Sequence, residues 1–125
     1  MAHKLVIILL NVSSNAPMTL SVPFFQATAA AAMDLEVEIY FAAQSAALLR
    51  RGFADTLFPS ERREKSIYSF MQDAHQAGVK FYACQATLKE LGINEENVIP
   101  EFDGSCGGAA VIGSICEDGV VTLTY

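Results

Sequence analysis

Positive charge is scarce in this chain. Only eight Lys and Arg stand among 125 residues, against fourteen Asp and Glu, for a net charge of −6. No basic face can be assembled from so few cations, which argues against a nucleic-acid partner. Histidines are fewer still, only His3 and His75. The three cysteines, Cys84, Cys106 and Cys116, contain no C-x-x-C pair and no zinc spacing, so no metal site is expected. An odd cysteine count also argues against a secreted disulfide framework and for a reducing compartment such as the cytoplasm. Long apolar runs are missing as well. Leu5–Leu10 is the clearest, and it gives way to the polar stretch Asn11–Asn15, far short of the roughly 18 residues of a membrane span. As the apolar segment of a signal peptide, after His3 and Lys4, its six residues are also short.

Other absences remove whole activities. The first acidic residue is Asp34, so no carboxylates follow the first strand to hold the Mg²⁺ of a phospho-receiver domain. Neither standard Gly-rich phosphate loop occurs, nor the G-x-S-x-G of a hydrolase. Ser13 and Ser14 follow the first strand as in a flavin phosphate loop, but the glycine and threonine cluster of such a loop is lacking.

Hydrophobic residues, by contrast, make up 52% of the chain and charged ones 18%, which excludes disorder. The length suits one domain, residues 1–125, with a core that needs no staples. Mean hydropathy is positive, which is high for a small monomer, so apolar surface is expected to be buried against further subunits. Phe24, Phe25, Ala29, Ala32 and a helix over 107–116 are the candidate interface.

Strand-like and helix-like segments alternate. Leu5–Leu10 is continuously apolar and β-branched in its middle, as a strand buried on both faces must be. Ser21 is positioned to cap a helix that tolerates Pro23 in its first turn and runs through the alanine tract to Met33. Glu36–Phe41 is a second strand, followed by a short helix over 43–50 ended by Gly52. Ile67, Phe70, Met71, Ala74 and Ala77 recur at helical spacing up to Gly78. Val79–Ala83 is a third strand and Gln85–Leu91 a helix, and Asn94–Val98 reads as one helical turn. Ser105 or Cys106 begins a last helix, apolar nearly all round, to about Glu117, and Val120–Tyr125 is a final strand. This rhythm predicts an α/β fold in three layers, a mostly parallel sheet with helices on both faces.

Sites in such sheets form beyond the carboxyl ends of the strands. There stand Asn11, Ser13, Ser14 and Asn15 after the first strand, Gln44 after the second, and Cys84 with Gln85 after the third. Cys84 is the strong nucleophile of this set. At the start of a helix its thiolate is stabilised by unpaired N–H groups, and such a thiolate can attack sulfur and carry it as a persulfide. A small residue filling a strand–helix corner is the competing explanation. Cys106, in Gly104-Ser105-Cys106-Gly107-Gly108, is a possible second thiol, although glycines there equally serve close packing. Cys116 reads as core, and His75 as solvated, a base role for it requiring Cys84 within hydrogen-bond reach. The pairs Arg50-Arg51 and Arg62-Arg63 read as solvated charge.

The apolar first strand, the alanine-rich helix leading into Val37-Glu38-Ile39-Tyr40-Phe41, the segment Ala46–Arg50 and above all Ala77-Gly78-Val79-Lys80-Phe81-Tyr82-Ala83-Cys84-Gln85-Ala86-Thr87-Leu88, then Leu91-Gly92-Ile93, resemble the DsrE/DsrF/DsrH-like family. The resemblance spans nearly the whole chain. It implies a five-stranded parallel sheet of flavodoxin-like type, assembly as trimers or hexamers, and no cofactor. It also implies a sulfur-relay role, as a sulfurtransferase subunit, with Cys84 taking sulfane sulfur from a donor protein and passing it to an acceptor. Two features depart from the family pattern: Met33-Asp34-Leu35 where many relatives place a glycine, and Asn11–Pro17 in place of an Asp-Pro helix start. The alternatives are a non-catalytic oligomeric module whose cysteine merely packs, and a small-molecule-binding α/β domain.

Overall fold

The apolar run near the amino terminus forms β1, Lys4–Leu9, and its continuous hydrophobicity is explained by its place inside a sheet. The computed structural model describes residues 1–125. After β1 come α1 (Pro17–Ala32), β2 (Glu36–Phe41), two 3-10 segments (Ala43–Leu49 and Ala54–Thr56) and α2 (Ile67–Gln76). Then follow β3 (Lys80–Cys84), α3 (Gln85–Glu90), β4 (Gly104–Cys106), α4 (Gly108–Ile115) and β5 (Val120–Thr124). The strand order is β4-β3-β2-β1-β5, and every pairing is parallel. No helix is long and apolar enough to cross a membrane.

Alternation along the strands divides the sheet into two unlike faces. On one, Leu5, Ile7, Leu9, Val37, Ile39, Phe41, Phe81 and Ala83 are buried. The helices α1 and α2 cover this face. Phe24 of α1 lies 6.0 Å from Phe41 and 6.1 Å from Phe81, and His75 of α2 lies 5.5 Å from Phe81, ring centre to ring centre. The opposite face carries Lys4, Glu38, Tyr40, Tyr82, Cys84 and Cys106 in register. There α4 is the covering helix, held by Ser114 Oγ donating to Glu38 Oε1 at 2.8 Å.

Several boundaries differ from the sequence reading. The first helix begins at Pro17, whose absent N–H would be unpaired there in any case, and Ser21 lies inside it with its hydroxyl on the Met18 carbonyl. Pro23 is therefore interior. It withholds a bond from the carbonyl of Thr19, a residue exposed to water. Asp34, just past this helix, has φ of 66°, the left-handed conformation that explains a glycine's advantage there. The segment after β2 winds as a 3-10 helix. The largest correction concerns residues 104–106. They form β4, paired in parallel with Tyr82–Cys84, and α4 starts only at Gly108. The α4 helix, apolar as expected, is exposed on most of its surface, with Ser114 its one buried residue. Cys116 caps its end and is exposed, not in the core, because α4 rests on the sheet through Ser114. Phe24 is core and Phe25 is 64% exposed.

Candidate functional site

Cys84 ends β3, and Gln85 begins α3 with no residue between them. Its backbone is extended, φ −73° and ψ 135°, as helix-capping residues usually are. The thiol is exposed. Short of a full capping hydrogen bond, the amides of Thr87 and then Ala86 still face the sulfur and, with the Thr87 hydroxyl, hold its pKa below the ordinary thiol value. No carboxylate or imidazole hydrogen-bonds to it. His75, half-buried, instead pairs through Nε2 with Asp103 at 3.3 Å, and Asp103 accepts the Phe81 N–H at 2.8 Å. That arrangement ties α2 and the approach to β4 onto the edge of β3.

Cys106 is the register partner of Cys84 on the adjacent strand. It is half-buried, and burial, the nearby Cys84 and Glu38 push its thiol pKa upward. The two sulfurs thus differ in character: one polarised toward thiolate and open to solvent, the other retained as a thiol.

Behind Cys106 the same face of the sheet carries a polar network. Lys4 Nζ lies 3.2 Å from Glu38 Oε2 and 3.5 Å from Glu117 Oε2, and Tyr40 donates its hydroxyl to Glu38 Oε1 at 2.8 Å. Tyr40 and Tyr82 stand side by side, 5.5 Å apart. With Cys106, Ser114 and Glu117 these residues line an open depression of about 520 Å³. Burial alone would raise the Glu38 carboxyl, but hydrogen bonds from Ser114, Tyr40 and Lys4, with the Lys4 charge, hold it below its ordinary value of 4.5. Burial alone would lower Lys4, yet Glu38 and Glu117 raise it above 10.5. Each shift stabilises the fold where both groups are charged. The Glu38 contribution is present above pH 4.5 and disappears as pH falls through its folded value. The Lys4 contribution is present below pH 10.5 and disappears as pH rises through its folded value. Urea midpoints measured against pH should therefore fall in acid, and the acid slope should be shallower in Glu38→Gln. An unchanged slope would show that the network does not couple folding to protons. The sequence reading passed over this network, although its signal was present in the alternation Glu36, Glu38, Tyr40 opposite Lys4.

The other sequence candidates are distributed along the carboxyl edge of the sheet. Ser13, Ser14 and Gln44 line one cavity of about 310 Å³, with Leu20, Leu48 and Leu91. Gln85 lines another of about 360 Å³, with Leu88, Phe102 and Ser105. Cys84 borders neither cavity, and Asn11 and Asn15 are exposed outside both. Asn11–Asn15 follow β1, two strands from β3, or roughly 10 Å at the usual spacing. The arginines are less free than expected. Arg50 is half-buried and donates to the Leu91 carbonyl, Arg51 reaches the Val98 carbonyl at 3.3 Å, and Arg63 lies 4.7 Å over the Phe58 ring.

The sequence profile of the DsrE/DsrF-like family matches residues 4–121. The chain belongs to that family. Among solved structures, a protein of unknown function from Methanobacterium thermoautotrophicum, MTH1491, shares the fold with a TM-score of 0.70 and 17% identity, over 98% of this chain and 99% of its own. The ychN protein from E. coli aligns with a TM-score of 0.63 and 16% identity, over 98% of this chain and 100% of its own. No curated protein sequence matches the chain. At these identities the two structures bear on the fold of this DsrE/DsrF-like chain, a parallel five-stranded sheet with helices on both faces, and not on its chemistry.

Proposed function

We propose that the chain is a sulfur-relay protein in which Cys84 takes up sulfane sulfur as a persulfide and passes it to a thiol of another protein. The observation that carries this reading is the exposed Cys84 sulfur at a strand–helix junction, facing the amides of Ala86 and Thr87. Uptake needs a thiolate, and hand-off needs a sulfur that a partner's thiolate can reach. Family membership is consistent with that role. Gln85, directly after the sulfur, is assigned to bind the incoming group. Ser13, Ser14 and Gln44, with Asn11 and Asn15 nearby, are assigned to the donor or acceptor protein docking along the same edge. Transfer between thiols requires no cofactor and a reducing compartment, which we take to be the cytoplasm.

The reading includes self-association. Met18, Val22 and Phe25 on α1, Met33 at its carboxyl cap, Ile112 on α4, and Val121 and Leu123 on β5 are all exposed apolar side chains. A trimer or hexamer would cover such surface.

Treatment with inorganic polysulfide, removal of the excess and intact-mass measurement should show one added sulfur atom. Peptide mapping should place it on Cys84, and Cys84→Ser should lose it. Equal loading of Cys84→Ser would leave the packing role as the explanation of this cysteine.

A further inference from the structure

We propose that Cys106 is a resolving thiol, which attacks the sulfane-loaded Cys84, closes an intrachain disulfide across β3 and β4, and releases hydrogen sulfide. The proposal rests on Cys84 being the sulfur carrier, and adds a second outcome for the bound sulfur besides hand-off to a protein.

Placement comes first. Cys84 and Cys106 are register partners on neighbouring parallel strands, so their side chains leave the same face of the sheet. Adjacent strands lie about 4.8 Å apart. Disulfides join Cα atoms about 4.4–6.8 Å apart. Parallel side-chain vectors still have to converge slightly, and β4 is built to allow it. It is an edge strand of three residues with no outer neighbour. Gly104 precedes its Ser-Cys pair and Gly107-Gly108 follows it, and none of these glycines has an atom within 4 Å of where a side chain would project. The intervening Ser105 is the register partner of Ala83, not of Cys84. The third cysteine is poorly placed to compete, since Cys116 lies at the opposite end of α4, about 12 Å along the helix axis from its start.

The step balances without an external oxidant, because the sulfane sulfur is itself the oxidant. The Cys106 sulfur gives up its proton and attacks Sγ of Cys84. The Sγ–S bond to the outer sulfur breaks, and that sulfur leaves with both electrons of the bond as HS⁻, which takes the proton. Two cysteines end oxidised by two electrons in total, and one sulfane sulfur ends reduced to sulfide. A low-molecular-weight or protein thiol reductant restores the pair. The unequal settings of the two thiols fit this order of events. Cys84 is favoured for loading, and Cys106, its pKa raised by burial and by Cys84 and Glu38, is less so.

The test uses the full chain with Cys116→Ser, so that only the two thiols in question remain. The protein is loaded with inorganic polysulfide, freed of excess reagent and left without reductant, while sulfide and non-reducing intact mass are followed. The expected course is loss of the added sulfur as one equivalent of sulfide, a final mass two hydrogens below the reduced chain, and a peptide joining Cys84 to Cys106. In Cys106→Ser, sulfide release per loaded sulfur should be slower by about tenfold or more. Loading followed by equally fast release from Cys106→Ser, or by no Cys84–Cys106 link, overturns this inference and leaves the carrier role of Cys84 standing. Failure of Cys84 to load at all overturns both. A separate arm with diamide, a two-electron thiol oxidant, tests the geometry alone: the same linked peptide is expected, and its absence in folded protein also overturns the pairing.

Discussion

Iodoacetamide at neutral pH should label Cys84 ahead of both other cysteines, and the preference should narrow as the solution is made alkaline and the other thiols ionise. The alkylating species is the thiolate, so the rate follows the fraction ionised and the access of the reagent. Cys84 has both in its favour, being exposed and held below the ordinary thiol pKa by the amides of Thr87 and Ala86. Cys106 has neither, being half-buried with a raised pKa. Cys116 separates the two factors. It is as open as Cys84, but it caps the carboxyl end of α4, where the carbonyl groups of the helix offer nothing to an anion. Time-resolved alkylation with peptide mass spectrometry should therefore give the order Cys84, Cys116, Cys106. The Cys84 rate should hold to lower pH than the Cys106 rate before it falls. Preferential labelling of Cys116 would show that exposure alone governs these thiols and would remove the electrostatic argument for a carrier at Cys84.

Phe81→Ala should lower the unfolding free energy by about 3–5 kcal/mol, in the usual range for a buried aromatic truncated to alanine. Phe81 is fully buried and packs at once on Phe24 (6.1 Å), Phe41 (5.3 Å) and His75 (5.5 Å), so one truncation opens a void shared by β2, β3, α1 and α2. Urea denaturation at one fixed protein concentration measures the loss, and Phe81→Leu, which refills much of the space, should lose less. A change below about 1 kcal/mol in Phe81→Ala would mean that the helices close onto the sheet without this ring. The consequence reaches the candidate site, because Phe81 sits three residues before Cys84 and its N–H is held by Asp103 on the way into β4.

What the sequence disclosed followed from pattern length. Four strands, β1, β2, β3 and β5, have five or six residues each and read clearly from apolar runs or alternation. β4 is Gly-Ser-Cys, three residues with no period to read and glycine at its start, and its pairing comes from the exposed edge of β3. The position of Cys84 at the end of a strand was legible because strand and helix meet there without a loop. Its neighbour across the sheet was not, because residues 84 and 106 become adjacent only once β4 docks. Apolarity misled at Cys116, which reads as core and is exposed: composition shows that a surface avoids water, not that this chain covers it. Phe24 and Phe25 make the same point within one helix, since a shift of one residue turns a ring from the core to the outside.

The place of β1 between β2 and β5 has a bearing on how the chain comes together. β1 precedes the other four strands in sequence yet lies inside the sheet, and its hydrogen-bonding edge toward β5 stays open until residues 120–124 arrive. A nascent chain therefore carries an unpaired, strongly apolar ribbon throughout synthesis of everything in between, the kind of edge that invites pairing with the wrong molecule. Pairing between positions so far apart in sequence raises the contact order, which slows folding.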